Sequence, residues 1–227
     1  GPLESFGRKT SKETENLPCR TVAKKQFVGE FMRIKYENKQ ILIDGKPTLV
    51  LAAEFHYFRN DPSLWEKTIK KIKSIGCNAI AVYMPWLIHE EYENQFDFTG
   101  KTNPRLNLVG FLDLIKENDL YLIARPGPFV MAEMKNDGIP YWVRENYPEI
   151  IPISWNAEPG TTVTLDYLAP NFLSASNHWY DNIMPILKKY QGSDGNLIGI
   201  QIDNEVGMLS WVSNNPDLND NVLDYFA

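Results

Sequence analysis

Leu197-Ile198-Gly199-Ile200-Gln201-Ile202-Asp203-Asn204-Glu205 is the stretch whose reading decides the fold. An apolar run that stops at consecutive polar residues reads as a strand buried on both faces, its last residues emerging at the rim of a parallel sheet. Where strands and helices alternate, that rim gathers reactive side chains, so Asn204 and Glu205 are candidates for chemistry. The plainer alternative stands beside it: Asp203 and Asn204 cap a turn, and Glu205 is solvated.

Similar runs lie upstream. Leu49 to Ala53 ends at Glu54, and a helix follows with Asp61 as cap and Pro62 at its first position. Its apolar face is Trp65, Ile69, Ile72 and Ile75, and Gly76 ends it. Ala79 to Met84 ends at Pro85-Trp86, before a helix marked by Leu108, Phe111, Leu112 and Ile115 that fades at Glu117-Asn118. Tyr121 to Ala124 ends at Arg125-Pro126-Gly127-Pro128. A long irregular connection then leads to a helix traced by Trp179, Ile183, Ile186, Leu187 and Tyr190. Ahead of all these, Phe31 to Tyr36 and Gln40 to Ile43 read as a lead-in hairpin, with a turn at Asp44-Gly45.

Strands alternating with helices leave a barrel or an open doubly wound sheet. The open dinucleotide-binding sheet calls for a glycine-rich turn after its first strand, where this chain has Glu54-Phe55-His56-Tyr57-Phe58. Aromatic and acidic residues there suit a sugar better than a pyrophosphate. A (β/α)₈ barrel takes about 250 residues. The expected fold is therefore α/β, a (β/α)₈ TIM barrel of which only about the first four strand-helix units are present. Residues 1–29 are polar and aperiodic and read as an expression-tag remnant plus flexible arm; residues 30–227 read as the half-barrel.

The 227 residues, 43% hydrophobic, suffice for a substantial core. A net charge of -6 without a basic face argues against nucleic acid as a partner. No run reaches the ~18 apolar residues of a membrane span, so no membrane association is expected. Gly1-Pro2 without an initiator Met reads as the scar of a cleaved tag, which leaves the native N-terminus and any export signal open; a cytoplasmic location is favoured. Cys19 and Cys77 cannot form a zinc site without histidine help, and His89-Glu90-Glu91-Tyr92-Glu93 lacks the second histidine of a helical zinc motif. No metal and no cofactor is expected.

Five motifs carry a resemblance. Glu54-Phe55-His56-Tyr57-Phe58-Arg59, Tyr83-Met84-Pro85-Trp86 with His89-Glu90, Arg125-Pro126-Gly127-Pro128-Phe129, Ala132-Glu133 with Gly138-Ile139-Pro140, and Gln201-Ile202-Asp203-Asn204-Glu205 stand in the order and spacing of glycoside hydrolase family thirty-five. From about Phe31 to Gly207 the chain resembles the N-terminal half of a β-galactosidase of that family. The resemblance implies Glu205 as general acid/base, Asn204 as the ligand of the sugar 2-hydroxyl, and Tyr83, Ala132 and Glu133 as contacts of the galactose hydroxyls. It implies a carbohydrate substrate and a retaining mechanism whose nucleophile lies outside this chain. The chemistry agrees: acetal cleavage needs a proton for the leaving oxygen, and a carboxyl enclosed within a ring of strands can supply it.

Each role has a competitor. Glu133 could accept from Arg125 or a loop amide, and Tyr83 could fill the barrel. Arg125, a costly charge beside an apolar run, is expected to be paired, with Glu54 the candidate. Glu54 and His56 read as structural, and His89-Glu90 as holding its loop. Trp86, Phe129, Trp142 and Trp211 could stack on a sugar, with core packing the safer assignment for each. Met131, Met134, Glu91, Asp203 and Val206 depart from the family's usual residues, which unsettles galactose specificity more than glycoside cleavage. Two further readings stay open: an exo-β-glycosidase for another sugar such as a β-glucosaminide, and a non-catalytic sugar-binding fragment that self-associates or pairs with a complementing C-terminal segment.

Overall fold

The computed structural model describes residues 34–160, 165–207, 214 and 216–227. The arm over 1–29, Cys19, Trp211 and the first residues of the expected opening strand lie outside them. Left-handed turns shape the first sheet. Asn38 and Lys39, at φ 49° and 62°, join β1 (Ile34–Glu37) to β2 (Gln40–Ile43); Asp44 and Gly45, at 49° and 77°, join β2 to a short β3 (Lys46–Pro47). These dihedrals match the right-handed twist of the strands they connect.

The second sheet is parallel throughout, with β4 (Ala52–Glu54), β5 (Ala79–Tyr83), β6 (Tyr121–Gly127) and β7 (Leu197–Ile202) side by side in chain order. This is the first half of the expected (β/α)₈ pattern. The connections carry α1 (Trp65–Ser74), α2 (Trp86–His89), α3 (Leu108–Glu117), α4 (Tyr141–Asn146) and α5 (Pro170–Leu187), and α6 (Asp220–Phe226) closes the chain. Asp61 caps the 3₁₀ turn that leads into α1, accepting the Ser63 N–H at 2.9 Å. Ile69, Leu108, Phe111, Leu112, Ile115, Trp179 and Ile183 are fully buried against the sheet, each stabilising by about 1.5–3 kcal/mol relative to exposure. Among the described residues no helix is long and apolar enough to cross a membrane.

Three expectations need correction. β7 is not buried on both faces: Ile200 is 39% and Ile202 64% exposed. It is the last strand of the sheet, and among the described residues it pairs only with β6. Ile75, expected on the buried face of α1, is 72% exposed, because it caps the helix after the apolar stripe has turned away. β6 continues through Arg125-Pro126-Gly127 instead of stopping at Ala124, as a register shift lets Gly127 pair with Ile202. Consecutive residues of α5 hold this extension: Trp179 Nε1 donates to the Pro126 carbonyl at 2.8 Å, and the Tyr180 hydroxyl to the Gly127 carbonyl at 2.6 Å.

Candidate active site

The parallel strands deliver Glu54, Tyr83, Arg125 and the Asp203-Asn204-Glu205 run to one rim, because all point their C-terminal ends the same way. Arg125 is at the centre. Its guanidinium pairs with Glu54, donates to Asn204 Oδ1 at 2.7 Å, and lies 3.8 Å from the centre of the Tyr83 ring. The expected Arg125–Glu54 pair is thus present, and it neutralises a cation only 9% exposed.

Tyr83 lies within electrostatic reach of Glu205 and Glu133. Burial raises the pKa of the Tyr83 hydroxyl, and the nearby Glu205 and Glu133 carboxylates raise it further, while a hydrogen bond with Asn204 works the other way. His56 packs on the Tyr83 ring, 4.9 Å between centres, and its Nδ1 accepts the Tyr83 N–H at 3.5 Å. Burial and Arg59 hold its pKa down at about 4, so at neutral pH the ring is uncharged and its contact with Glu54 at 3.9 Å is not an ion pair.

The backbone here is unusual. Met131, Ala132 and Glu133 follow one another at φ 52°, 48° and 49°, and Asp203 and Glu205 lie at 54° and 56°. Left-handed backbone costs a residue with a Cβ roughly 1–2 kcal/mol, and such strain concentrates at functional sites. Cross-links between loops maintain it. Asp203 Oδ1 accepts the Phe129 N–H at 2.9 Å, the Phe129 carbonyl accepts the Asn204 N–H at 2.9 Å, and Arg59 donates to the Ala132 carbonyl. Sequence reasoning assigned no such part to Asp203 or Arg59. A side chain bonding to backbone more than seventy residues away leaves no local signature, though three polar residues after a strand were a hint.

Ala132 is buried, whereas Glu133 and Glu205 are exposed. The enclosure expected for Glu205 is not provided, because it follows β7 at the uncovered edge of the sheet. Cavities of about 260, 320 and 500 Å³ all border Ile200 lower on the same edge, and Glu205 lies outside them. Trp86, Phe129 and Trp142 are buried, so each is packing rather than a stacking surface. His89 and Glu90 hold their loop. His89 Nδ1 donates to the Asp97 carbonyl at 2.6 Å and its Nε2 accepts from Tyr57, while buried Glu90 receives the Trp86 Nε1–H at 2.6 Å and the Asn94 N–H at 2.7 Å. Among the described residues no cluster of His, Cys, Asp and Glu could hold a metal ion.

The model of the family described as "Glycosyl hydrolases family 35" matches residues 40–222. The chain belongs to this family. Family 35 relatives include a protein named beta-1,2-glucosyltransferase from Ignavibacterium album, 36% identical over 86% of this chain and 28% of its own length. An exo-beta-D-glucosaminidase from Pyrococcus horikoshii is 36% identical over 77% of this chain and 23% of its own, and a beta-galactosidase from Mus musculus is 31% identical over 77% and 24%. A beta-galactosidase structure from the psychrophilic Marinomonas ef1 superposes with a TM-score of 0.57 at 16% identity, over 78% of this chain and 24% of that one, a likeness of fold. The family 35 chain spans about a quarter of the length of these curated relatives.

Proposed function

We propose that this chain carries the acid/base side of a retaining exo-β-glycosidase that removes a terminal β-linked hexose. The observation that supports it is the position of Tyr83, Asn204 and Glu205 at the C-terminal strand ends, where Arg125 holds the Asn204 amide and the Glu205 and Glu133 charges act on the Tyr83 hydroxyl. In the first step Glu205 gives its proton to the glycosidic oxygen as that bond breaks, and a second carboxylate bonds to the anomeric carbon. In the second step Glu205 takes a proton from water as the water displaces the enzyme from the sugar. Asn204 binds the 2-hydroxyl, where hydrogen bonds strengthen in the transition state; Tyr83, Glu133 and the Ala132 backbone hold the other hydroxyls. The nucleophile comes from outside the residues named here, about 5–5.5 Å from the acid/base in a retaining enzyme.

β-Galactosides are the first substrates to test, with β-glucosaminides second because of the glucosaminidase relatives. The full-length enzyme is assayed on unactivated disaccharides of each sugar, as wild type and as Glu205→Gln. The substitution is expected to lower kcat by about 10³-fold or more. Azide, which needs no general base, is expected to restore turnover of activated aryl glycosides and yield the β-glycosyl azide. Unchanged hydrolysis of disaccharides by Glu205→Gln would overturn the assignment. Transfer of the hexose to an added acceptor sugar, with little free hexose, would instead favour the transferase chemistry named for the Ignavibacterium relative.

A further inference from the structure

We propose that Arg125 is a positioning residue that fixes which end of the Asn204 amide faces the sugar. The inference rests on the reading of Asn204 as the 2-hydroxyl ligand. An amide can sit in its site either way round, and only the NH₂ end can donate to a hydroxyl oxygen.

The neighbours determine the orientation. Arg125 has no acceptor atom, so the Asn204 atom 2.7 Å from its Nη2 must be oxygen. Gln201 agrees: its Nε2 donates to the Asp203 carbonyl at 3.0 Å, which identifies that end as nitrogen, and the same atom donates to Asn204 Oδ1 at 3.1 Å. On the other side Asn204 Nδ2 donates to the Val130 carbonyl at 3.2 Å, which uses one of its two hydrogens. Two donors thus hold the oxygen, and the nitrogen is turned toward Val130, at the start of the loop that carries Ala132 and Glu133.

Arg125 is itself fixed. Glu54 takes one arm of the guanidinium, Asn204 the other, and the Tyr83 ring lies against its face. A lysine keeps the charge but has neither the fork nor the plane to make these contacts together.

The test is turnover of a β-glycoside and its 2-deoxy counterpart by the full-length enzyme, as wild type, Arg125→Lys, Gln201→Ala, Asn204→Ala and Arg125→Lys/Asn204→Ala. On the 2-hydroxy substrate Arg125→Lys is expected to lose roughly ten- to a hundredfold in kcat/KM, the size of a charged hydrogen bond. On the 2-deoxy substrate the loss is expected to stay within about threefold, as is the effect of adding Arg125→Lys to Asn204→Ala. Gln201→Ala, an exposed site safe for folding, is expected to show the same selectivity at a smaller size. Equal losses on both substrates in both single variants would make Arg125 and Gln201 structural only and overturn the inference. A wild-type enzyme that turns over both substrates equally would overturn the 2-hydroxyl role of Asn204, and the inference with it.

Discussion

Asp203 and Phe129 are joined by a 2.9 Å hydrogen bond from the Phe129 backbone N–H to the Asp203 carboxylate, which ties the end of β7 to the loop after β6. Asp203 does this from left-handed backbone at φ 54°, a conformation that costs Asn less than Ala. Asp203→Ala is expected to cost about 1–3 kcal/mol in urea unfolding, and Asp203→Asn, which still accepts the bond, under about 0.5 kcal/mol. Equal losses in the two would show that the bond contributes nothing.

His89 is fully buried, and burial holds its pKa down at about 4 despite the Asp97 carbonyl it bonds to. The unfolded chain binds this proton near the ordinary histidine value of 6.5, so His89 contributes stability above that pH that is lost as pH falls from about 6.5 to about 4. The loss is expected to be on the order of a few kcal/mol. His56, also depressed to about 4, adds to the same limb. His89→Gln is expected to flatten the slope of unfolding free energy against pH in this window; an unchanged slope would exclude His89 as its source.

Asp97 acts lower on the pH scale. Burial pushes its carboxyl up, but bonds from Thr102, Thr99 and Lys101 outweigh that and hold it well below the usual carboxylate range. Oδ1 accepts the N–H groups of Thr99, Gly100 and Lys101, and Oδ2 the N–H and hydroxyl of Thr102. This stability is present above the ordinary aspartate pKa and lost as pH falls below it. Asp97→Asn sets an NH₂ against one group of donors and is expected to cost about 1–3 kcal/mol at neutral pH, read as a lower urea midpoint.

Ile202 is 64% exposed on the unpaired side of β7. Apolar residues on an open edge invite pairing with another chain, and a lysine there discourages it. For the 227-residue chain, Ile202→Lys is expected to move sedimentation toward monomer while changing stability by under about 0.5 kcal/mol. An identical sedimentation profile would show that this edge does not drive association.

What could be read from the sequence divides along physical lines. The stripe of Leu108, Phe111, Leu112 and Ile115 predicted the buried face of α3, because helical periodicity reports directly on which side meets a core. Arg125 and Glu54 could be paired in advance, since a cation at a buried strand end requires an anion. A half-barrel of four strands already implied an open edge, but the apolar run by itself shows only that Leu197–Ile202 can be buried, not which neighbour covers it. The left-handed run at Met131, Ala132 and Glu133 was equally hidden, since it is imposed by distant groups such as Arg59.

Trp179 and Tyr180 are neighbours in α5, yet each grasps one of two successive carbonyls of β6. The rim is therefore splinted from behind by one turn of an outer helix. A slight roll of that helix would be felt two residues on, at Phe129, and through it by Asn204 and the loop bearing Glu133. Selection for altered sugar preference should accordingly find changes on the back of α5, in residues that never meet the sugar.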